Sequence, residues 1–222
     1  MPGKVRAWSL PDGSYMGVPP EVTLIHKVAL VLENVALPKG ALSPQHLTLT
    51  ETKVFKSDNG QVIWDISIPN KGVLLINSSR TIAIVGFGSE RVFDFGKVVI
   101  KPGKTSLDGW YIIAFTILEG ESFQNPKRIL LIAGVQVMNT GMKLERWDNM
   151  IGCKDWGQAP TIVEGVPAVI ELKVGNRQVE VWALDNTGAH MKKIPVELKD
   201  GKAVFEIDPK WRTIWYEIIV KK

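Results

Sequence analysis

Apolar residues in this chain recur at every second position in short runs, and nowhere at the i, i+3, i+4, i+7 spacing of an amphipathic helix over a helix's length. A period of two sends alternate side chains to opposite faces of a pleated strand, so the expected fold class is all-β, built from half-buried antiparallel strands. The run 61–68 shows the pattern. Val62, Trp64, Ile66 and Ile68 share one face and Gln61, Asp65 and Ser67 the other, with Ile63 the exception. The run 50–56 precedes it across Asp58-Asn59-Gly60, where Asn-Gly supplies the positive φ angles of a tight turn, and this predicts a hairpin.

Further strands are predicted at 5–10, 22–32, 72–77, 81–87, 97–100, 110–118, 128–138, 168–174, 179–184, 194–198, 203–207 and 214–220. Turn chemistry separates most of them, as at Pro11-Asp12-Gly13, Pro38-Lys39-Gly40, Pro102-Gly103, Asn139-Thr140-Gly141, Gly175-Asn176, Asn186-Thr187-Gly188 and Asp200-Gly201. Strands this regularly spaced imply sandwiches or barrels.

At 222 residues the chain has room for one large or two small domains, taking about 150 residues as typical. The stretch 143–160 lacks strand character and reads as a connecting or functional loop. It separates a larger β-sandwich over 1–150 from a smaller immunoglobulin-like one over 160–222, packed together. The second has only some sixty residues, close to the smallest size that folds alone, and is expected to lean on the first. A single continuous sandwich is the alternative.

Composition narrows the function classes. Hydrophobic residues make up 45% and charged residues 23%, as in an ordinary globular protein, which excludes wholesale disorder or a collagen-like repeat. The longest apolar run, 110–118, is broken by Thr116 and falls short of the roughly 18–20 residues of a membrane span, so no membrane partner is expected. The net charge of +4 comes from interspersed signs without a basic block, which argues against nucleic acid. The single cysteine, Cys153, excludes an internal disulfide and a cysteine zinc cage. The N-terminal Met-Pro-Gly-Lys-Val-Arg has no signal-peptide apolar core and runs at once into strand-like sequence, as a piece of a longer chain would.

Several constellations resemble the β-rich regions C-terminal to catalytic barrels in multimodular bacterial glycoside hydrolases. They begin with Ser57-Asp58-Asn59-Gly60, Trp64-Asp65, Lys71-Gly72-Val73, Arg80-Thr81 and Val85-Gly86-Phe87. They continue with Arg128-Ile129-Leu130-Leu131, Asn139-Thr140-Gly141-Met142, Asp155-Trp156-Gly157-Gln158-Ala159-Pro160 and Val163-Glu164-Gly165-Val166-Pro167-Ala168. They end with Val181-Trp182-Ala183-Leu184-Asp185 and Arg212-Thr213-Ile214-Trp215-Tyr216-Glu217, so that the likeness covers about residues 55–220 and leaves the first fifty outside. The resemblance implies an accessory β-sandwich, carbohydrate-binding-module-like, that packs on a catalytic (β/α)8 barrel or binds polysaccharide beside it. The implied partners are the catalytic domain of the same chain and a plant or algal cell-wall glycan, in a secreted, extracellular enzyme. No cofactor is expected. Accessory sandwiches can hold a structural calcium ion, but no twelve-residue Asp-rich loop ending in Glu appears.

Catalytic chemistry finds little support. A glycosidase needs two facing carboxylates, and the loop-placed Glu119, Glu121, Asp148, Asp155 and Glu164 each read equally as solvated turn or strand-end residues. His26, His46 and His190 are scattered without metal-ligand spacing, and Cys153 has no histidine near it in sequence to activate it as a nucleophile. Gly86-Phe87-Gly88 lies between strands without the helix a phosphate loop requires.

The chain instead carries eight tryptophans against three tyrosines, and an indole offers a flat apolar surface to a pyranose ring at small entropy cost. Trp64, Trp215 and Tyr216 read as core, and Trp182 as core or interface. The candidate carbohydrate-binding residues are Trp147 and Trp156, with Asp155 and Gln158 placed to meet sugar hydroxyls, then Trp110 with Tyr111, and Trp8 with Tyr15. Burial of Trp147 and Trp156 against a catalytic barrel is the competing reading.

Overall fold

A computed structural model describes residues 8–9, 15–16, 39, 53–147 and 150–221, with the side chains at 8, 9, 15, 16, 147 and 150 outside that description. The strand expected at 22–32, most of that at 5–10, His26, His46 and Asp148 lie outside the described residues. The chain divides into two compact units, 1–75 and 76–222.

In the first unit, β1 (Trp8–Ser9) pairs antiparallel with β2 (Tyr15–Met16), and β3 (Val54–Lys56) with β4 (Val62–Asp65). The expected Asn59-Gly60 hairpin is present, closed by Ser57 N donating to Val62 O at 2.9 Å and by Gln61 N donating to Asn59 Oδ1 at 3.0 Å. Phe55 faces Trp64 across it, ring centroids 5.6 Å apart. β4 ends earlier than expected because the Asp65 carboxylate captures Ser67 N at 2.9 Å, an Asx turn that competes with the ladder. β5 (Val73–Asn77) runs across the boundary into the second unit.

The second unit continues with β6 (Thr81–Phe87), β7 (Phe93–Asp94), β8 (Val98–Pro102), β9 (Trp110–Gly120) and β10 (Pro126–Thr140). Next come β11 (Lys143–Trp147), β12 (Met150–Asp155), β13 (Gln158–Gly165), β14 (Ala168–Lys173) and β15 (Val179–Leu184). β16 (His190–Ile194), β17 (Val196–Lys199), β18 (Lys202–Ile207), a 3-10 turn (Pro209–Trp211) and β19 (Trp215–Val220) complete it. One sheet has the order β16-β15-β19-β10-β9-β6 with β13 beside the far half of β10, and the other β17-β18-β14-β8-β7. All of these pairings are antiparallel, and the sheets form a β-sandwich that does not close into a barrel.

Alternation builds the core as expected. Tyr111, Ile113, Phe115 and Ile117 of β9 and Ile129, Leu131, Ala133 and Val135 of β10 are buried on one sheet. Val98, Ile100, Ile170, Leu172, Phe205 and Ile207 are buried on the other.

Two expectations on organisation are corrected. The stretch 143–160 is not a loop; it contains the β11–β12 hairpin and the start of β13. Nor does a boundary fall at 150–160, because β8 pairs with β14 (Ile100 opposite Ile170) and β10 with β19 (Leu131 opposite Tyr216). The late strands complete the sheets begun by the early ones, so no separate immunoglobulin-like sandwich exists over 160–222.

Charges pin the outer faces. Glu171 of β14 lies between Lys101 of β8 and Lys202 of β18, with Lys202 Nζ 2.9 Å away. The hydrogen bonds from Lys101 and then Lys202 hold its carboxyl down at about 2. Glu217 is buried among Arg128 (Nε to Oε1, 2.8 Å) and His190 (Nε2 to Oε2, 2.5 Å), and Arg128 also binds Glu119 at 2.5 Å. Burial alone would raise the Glu217 carboxyl, but the hydrogen bonds from His190 and Arg128 outweigh it and the pKa is lowered.

Two outcomes follow from this packing. A Cβ at Gly88 would sit 2.2 Å from Tyr111 Oη and 2.8 Å from Phe93 Cζ, so Gly88→Ala overpacks the core and lowers stability by about 1–3 kcal/mol, read from urea unfolding. The unfolded chain takes up the Glu171 proton near its ordinary pKa of 4.5 and the folded chain only near about 2, so acid favours unfolding across that window. Glu171→Gln is therefore less stable than wild type at pH 7, and urea midpoints of the two measured down to pH 2 converge.

Candidate functional site

The far half of β10 leaves the core. Val135 is buried, Val137 is 66% exposed, and the register shift between Gly134 and Val137 against β13 marks the departure. Beyond it β10 and β13 form an arm that also carries the β11–β12 hairpin. Val163 faces Val137 across this arm and Ile162 faces Met138, and both Val163 and Ile162 are exposed. Leu144 and Ile151, the latter 61% exposed, lie on one face of the hairpin, since Leu144 pairs with Cys153 and Arg146 with Ile151.

Trp156 sits where the hairpin returns to the arm and is 70% exposed. The turn that presents it is held from several sides. Asn139 Nδ2 donates to Trp156 O at 3.0 Å, Thr140 Oγ1 to Pro160 O at 2.8 Å and Thr161 Oγ1 to Asn139 Oδ1 at 2.8 Å. Asp155 Oδ1 accepts from Gly157 N at 2.9 Å. Gly157 has φ +66° and lies so close to β10 that a Cβ would be 2.4 Å from Thr140 O, which leaves room only for glycine. The indole is thus displayed by a fixed backbone, with Asp155 and Gln158 exposed beside it.

The other expected site residues do not join it. Trp147 pairs with Met150 at the hairpin tip while Asp155 pairs with Lys143 at its base, so the Trp147 backbone lies four residues of strand, about 13 Å, from the base. Trp110 opens β9, is half-buried and pairs with Phe87. Tyr111 is fully buried, which removes it from a surface site; alternation sends it inward where Trp110 goes outward. Among the described residues its hydroxyl has no hydrogen-bond partner, and burial pushes its pKa up. Trp8 pairs with Met16 and Tyr15 with Ser9, and the side chains of both lie outside the described residues.

The remaining tryptophans divide by whether their faces are occupied. Trp182 is stacked on His190 at 4.6 Å with the rings 6° from parallel, with Lys193 Nζ 5.4 Å from its centroid. Trp211 has Lys192 and Lys210 at 5.1 and 5.2 Å. Trp215, expected in the core with Tyr216, is instead 38% exposed while Tyr216 is buried; neighbours on a strand cannot share a face, and that alternation was the signal that distinguishes them.

Three of the acids expected in loops are engaged by hydrogen bonds, and Glu119 of β9 and Glu164 of β13 lie within strands. Glu119 is held by Arg128. Glu164 accepts from Ser106 N at 2.9 Å and Gln136 Nε2 at 3.2 Å. Asp155 is turned to Gly157.

No family model matches this chain, and neither a curated protein nor a solved structure does.

Proposed function

We propose that this chain is a non-catalytic accessory module of a polysaccharide-degrading enzyme, holding a glycan chain by stacking a sugar ring on Trp156. The observation that carries the reading is the exposure of Trp156 on a turn fixed by Asn139, Thr140, Thr161 and Gly157. A flat apolar surface held in place loses little freedom on binding, and the exposed Asp155 and Gln158 beside it are suited to sugar hydroxyls. The pairing of Glu119 with Arg128 and of Glu164 with Ser106 and Gln136, across neighbouring elements, favours a structural role for both carboxylates over hydrolysis. The mechanism is effective concentration, with a weak glycan site keeping a tethered catalytic domain near its substrate without altering the cleavage step.

A second reading, docking on the catalytic domain, is favoured by exposed aliphatic side chains, Val137 and Val163 on one face of the arm and Leu144 and Ile151 on one face of the hairpin. In that case the arm is a contact surface and the module a scaffold.

Affinity electrophoresis through β-glucan, xyloglucan, mannan, xylan and agarose gels separates the two. Under the glycan reading one polysaccharide retards the chain, and Trp156→Ala, folded by circular dichroism, loses about tenfold or more in affinity. Under the docking reading no polysaccharide retards it, and the isolated chain self-associates with rising concentration, a tendency that Val137→Lys with Ile151→Lys abolishes in analytical ultracentrifugation.

A further inference from the structure

At another place in the second unit, three turns meet around a cleft of about 120 Å³: those joining β5 to β6, β7 to β8 and β9 to β10. Its inner surface is apolar, from the buried Ile82 and Phe123 and the half-buried Phe95. Its rim is polar, with Asn77, Ser79, Gln124 and the half-buried Lys97. Among the described residues the Lys97 ammonium has no carboxylate partner, and the side chains of Asn77, Ser79 and Gln124 make no hydrogen bond. Asp94, the acid nearest in sequence to Lys97, has Oδ1 on Gly96 N at 2.7 Å.

The walls are fixed in place. The Arg80 guanidinium reaches from the β5–β6 turn to the end of β9 and the turn beyond, donating to Gly120 O at 2.9 Å, Ile117 O at 3.1 Å and Glu121 O at 3.2 Å. Phe123 N donates to Ser79 O at 3.0 Å, and Phe95 N to Val98 O at 2.9 Å closes the third turn. An unspent cation and several unspent hydroxyl and amide groups therefore converge on a rigid cleft with an apolar floor. A site of this kind favours an anionic group carried on a partly apolar body. The cleft is well below the roughly 300 Å³ of a pocket that encloses a whole small ligand, so it fits a substituent of a chain passing over it.

We infer that this cleft binds the acidic group of a glycan, a uronate carboxylate or a sulfate ester, with Lys97 as its counter-charge and Asn77, Ser79 and Gln124 as hydrogen-bonding groups to its oxygens and neighbouring hydroxyls. The inference rests on the glycan-binding reading and narrows it to acidic polysaccharides.

Binding isotherms of the full 222-residue chain at about 0.15 M salt test it with three probes: oligogalacturonate, a sulfated galactan oligosaccharide and a neutral agarose oligosaccharide. One acidic probe binds more tightly than the neutral one, and which of the two does so assigns carboxylate or sulfate. Lys97→Gln weakens that probe about tenfold and leaves the neutral probe unchanged. Gln124→Leu, an exposed position that does not disturb the fold, weakens it in the same direction, while Lys127→Gln, which removes the same charge from another exposed site, does not. Equal losses for Lys97→Gln and Lys127→Gln mean nonspecific attraction to a polyanion and overturn the cleft, as does no loss in Lys97→Gln and Gln124→Leu. Neutral-probe binding that depends on Trp156 but not on Lys97 keeps the glycan reading and discards this site. Failure of the folded chain to bind any probe discards both.

Discussion

Everything in the second unit depends on β10 having partners on both edges that come from distant parts of the chain. Leu131 lies between Phe115 of β9 and Tyr216 of β19, and all three are fully buried. The pairing with β19 closes a loop of some 85 residues, which makes it entropically costly to form and places it late in any assembly that proceeds from local contacts. Once it is formed, β10 is a rigid element of 15 residues, only the first part of which the sandwich can cover. The rest projects with β13 as an arm. The surface proposed to bind is therefore an extension of the core strand and inherits its position from the core's register.

Register in turn is guarded by charges that add little stability individually at such exposure. Glu171 is tied to lysines on both neighbouring strands, as Glu180 of β15 is to Lys193 of β16 and Lys221 just after β19. A slip of one residue would turn each acid inward and bring its apolar neighbours out. The penalty for burying an unpaired carboxylate is then far larger than the gain from the pair itself. Glu217 is the stringent case, since it is already buried and is satisfied only while Arg128 and His190 stand beside it. These contacts act by penalising wrong pairings.

The fold class and most strands were legible because a sandwich imposes an inside and an outside on every strand it covers, and that contrast is what alternation records. The 179–184 and 81–87 strands are predicted to the residue on this basis. Where both faces meet solvent the contrast disappears. Lys143, Glu145, Arg146 and Lys154 are polar or charged without any inward demand, so a regular hairpin reads as a loop. The same blindness affected the domain boundary, because pairing between β8 and β14 leaves no local trace in either segment. At the site, the composition and Gly157 of the Asp155-Trp156-Gly157-Gln158 turn marked an exposed aromatic, but the partners that hold it, Asn139, Thr140 and Thr161, come from two strands and were visible only as turn and strand residues. Tyr111 fails as a site residue for a simpler reason: it is adjacent to Trp110, and adjacency on a strand means opposite faces.

Aromatic content by itself therefore says little about binding in a chain like this; what matters is how each ring's faces are used. Trp182 is covered by His190 and Trp211 is flanked by two lysines, contacts that consume the surfaces a sugar would need. Phe55 and Trp64 pack against each other. Trp156 differs because its surroundings act on its backbone, fixing the turn through Asn139 and Gly157 while the indole itself stays exposed. An indole left exposed in this way forgoes the free energy of burying a large apolar surface and returns no packing energy. An arrangement that spends several hydrogen bonds to maintain that exposure is more economically explained by a ligand or partner for the ring than by the stability of the arm.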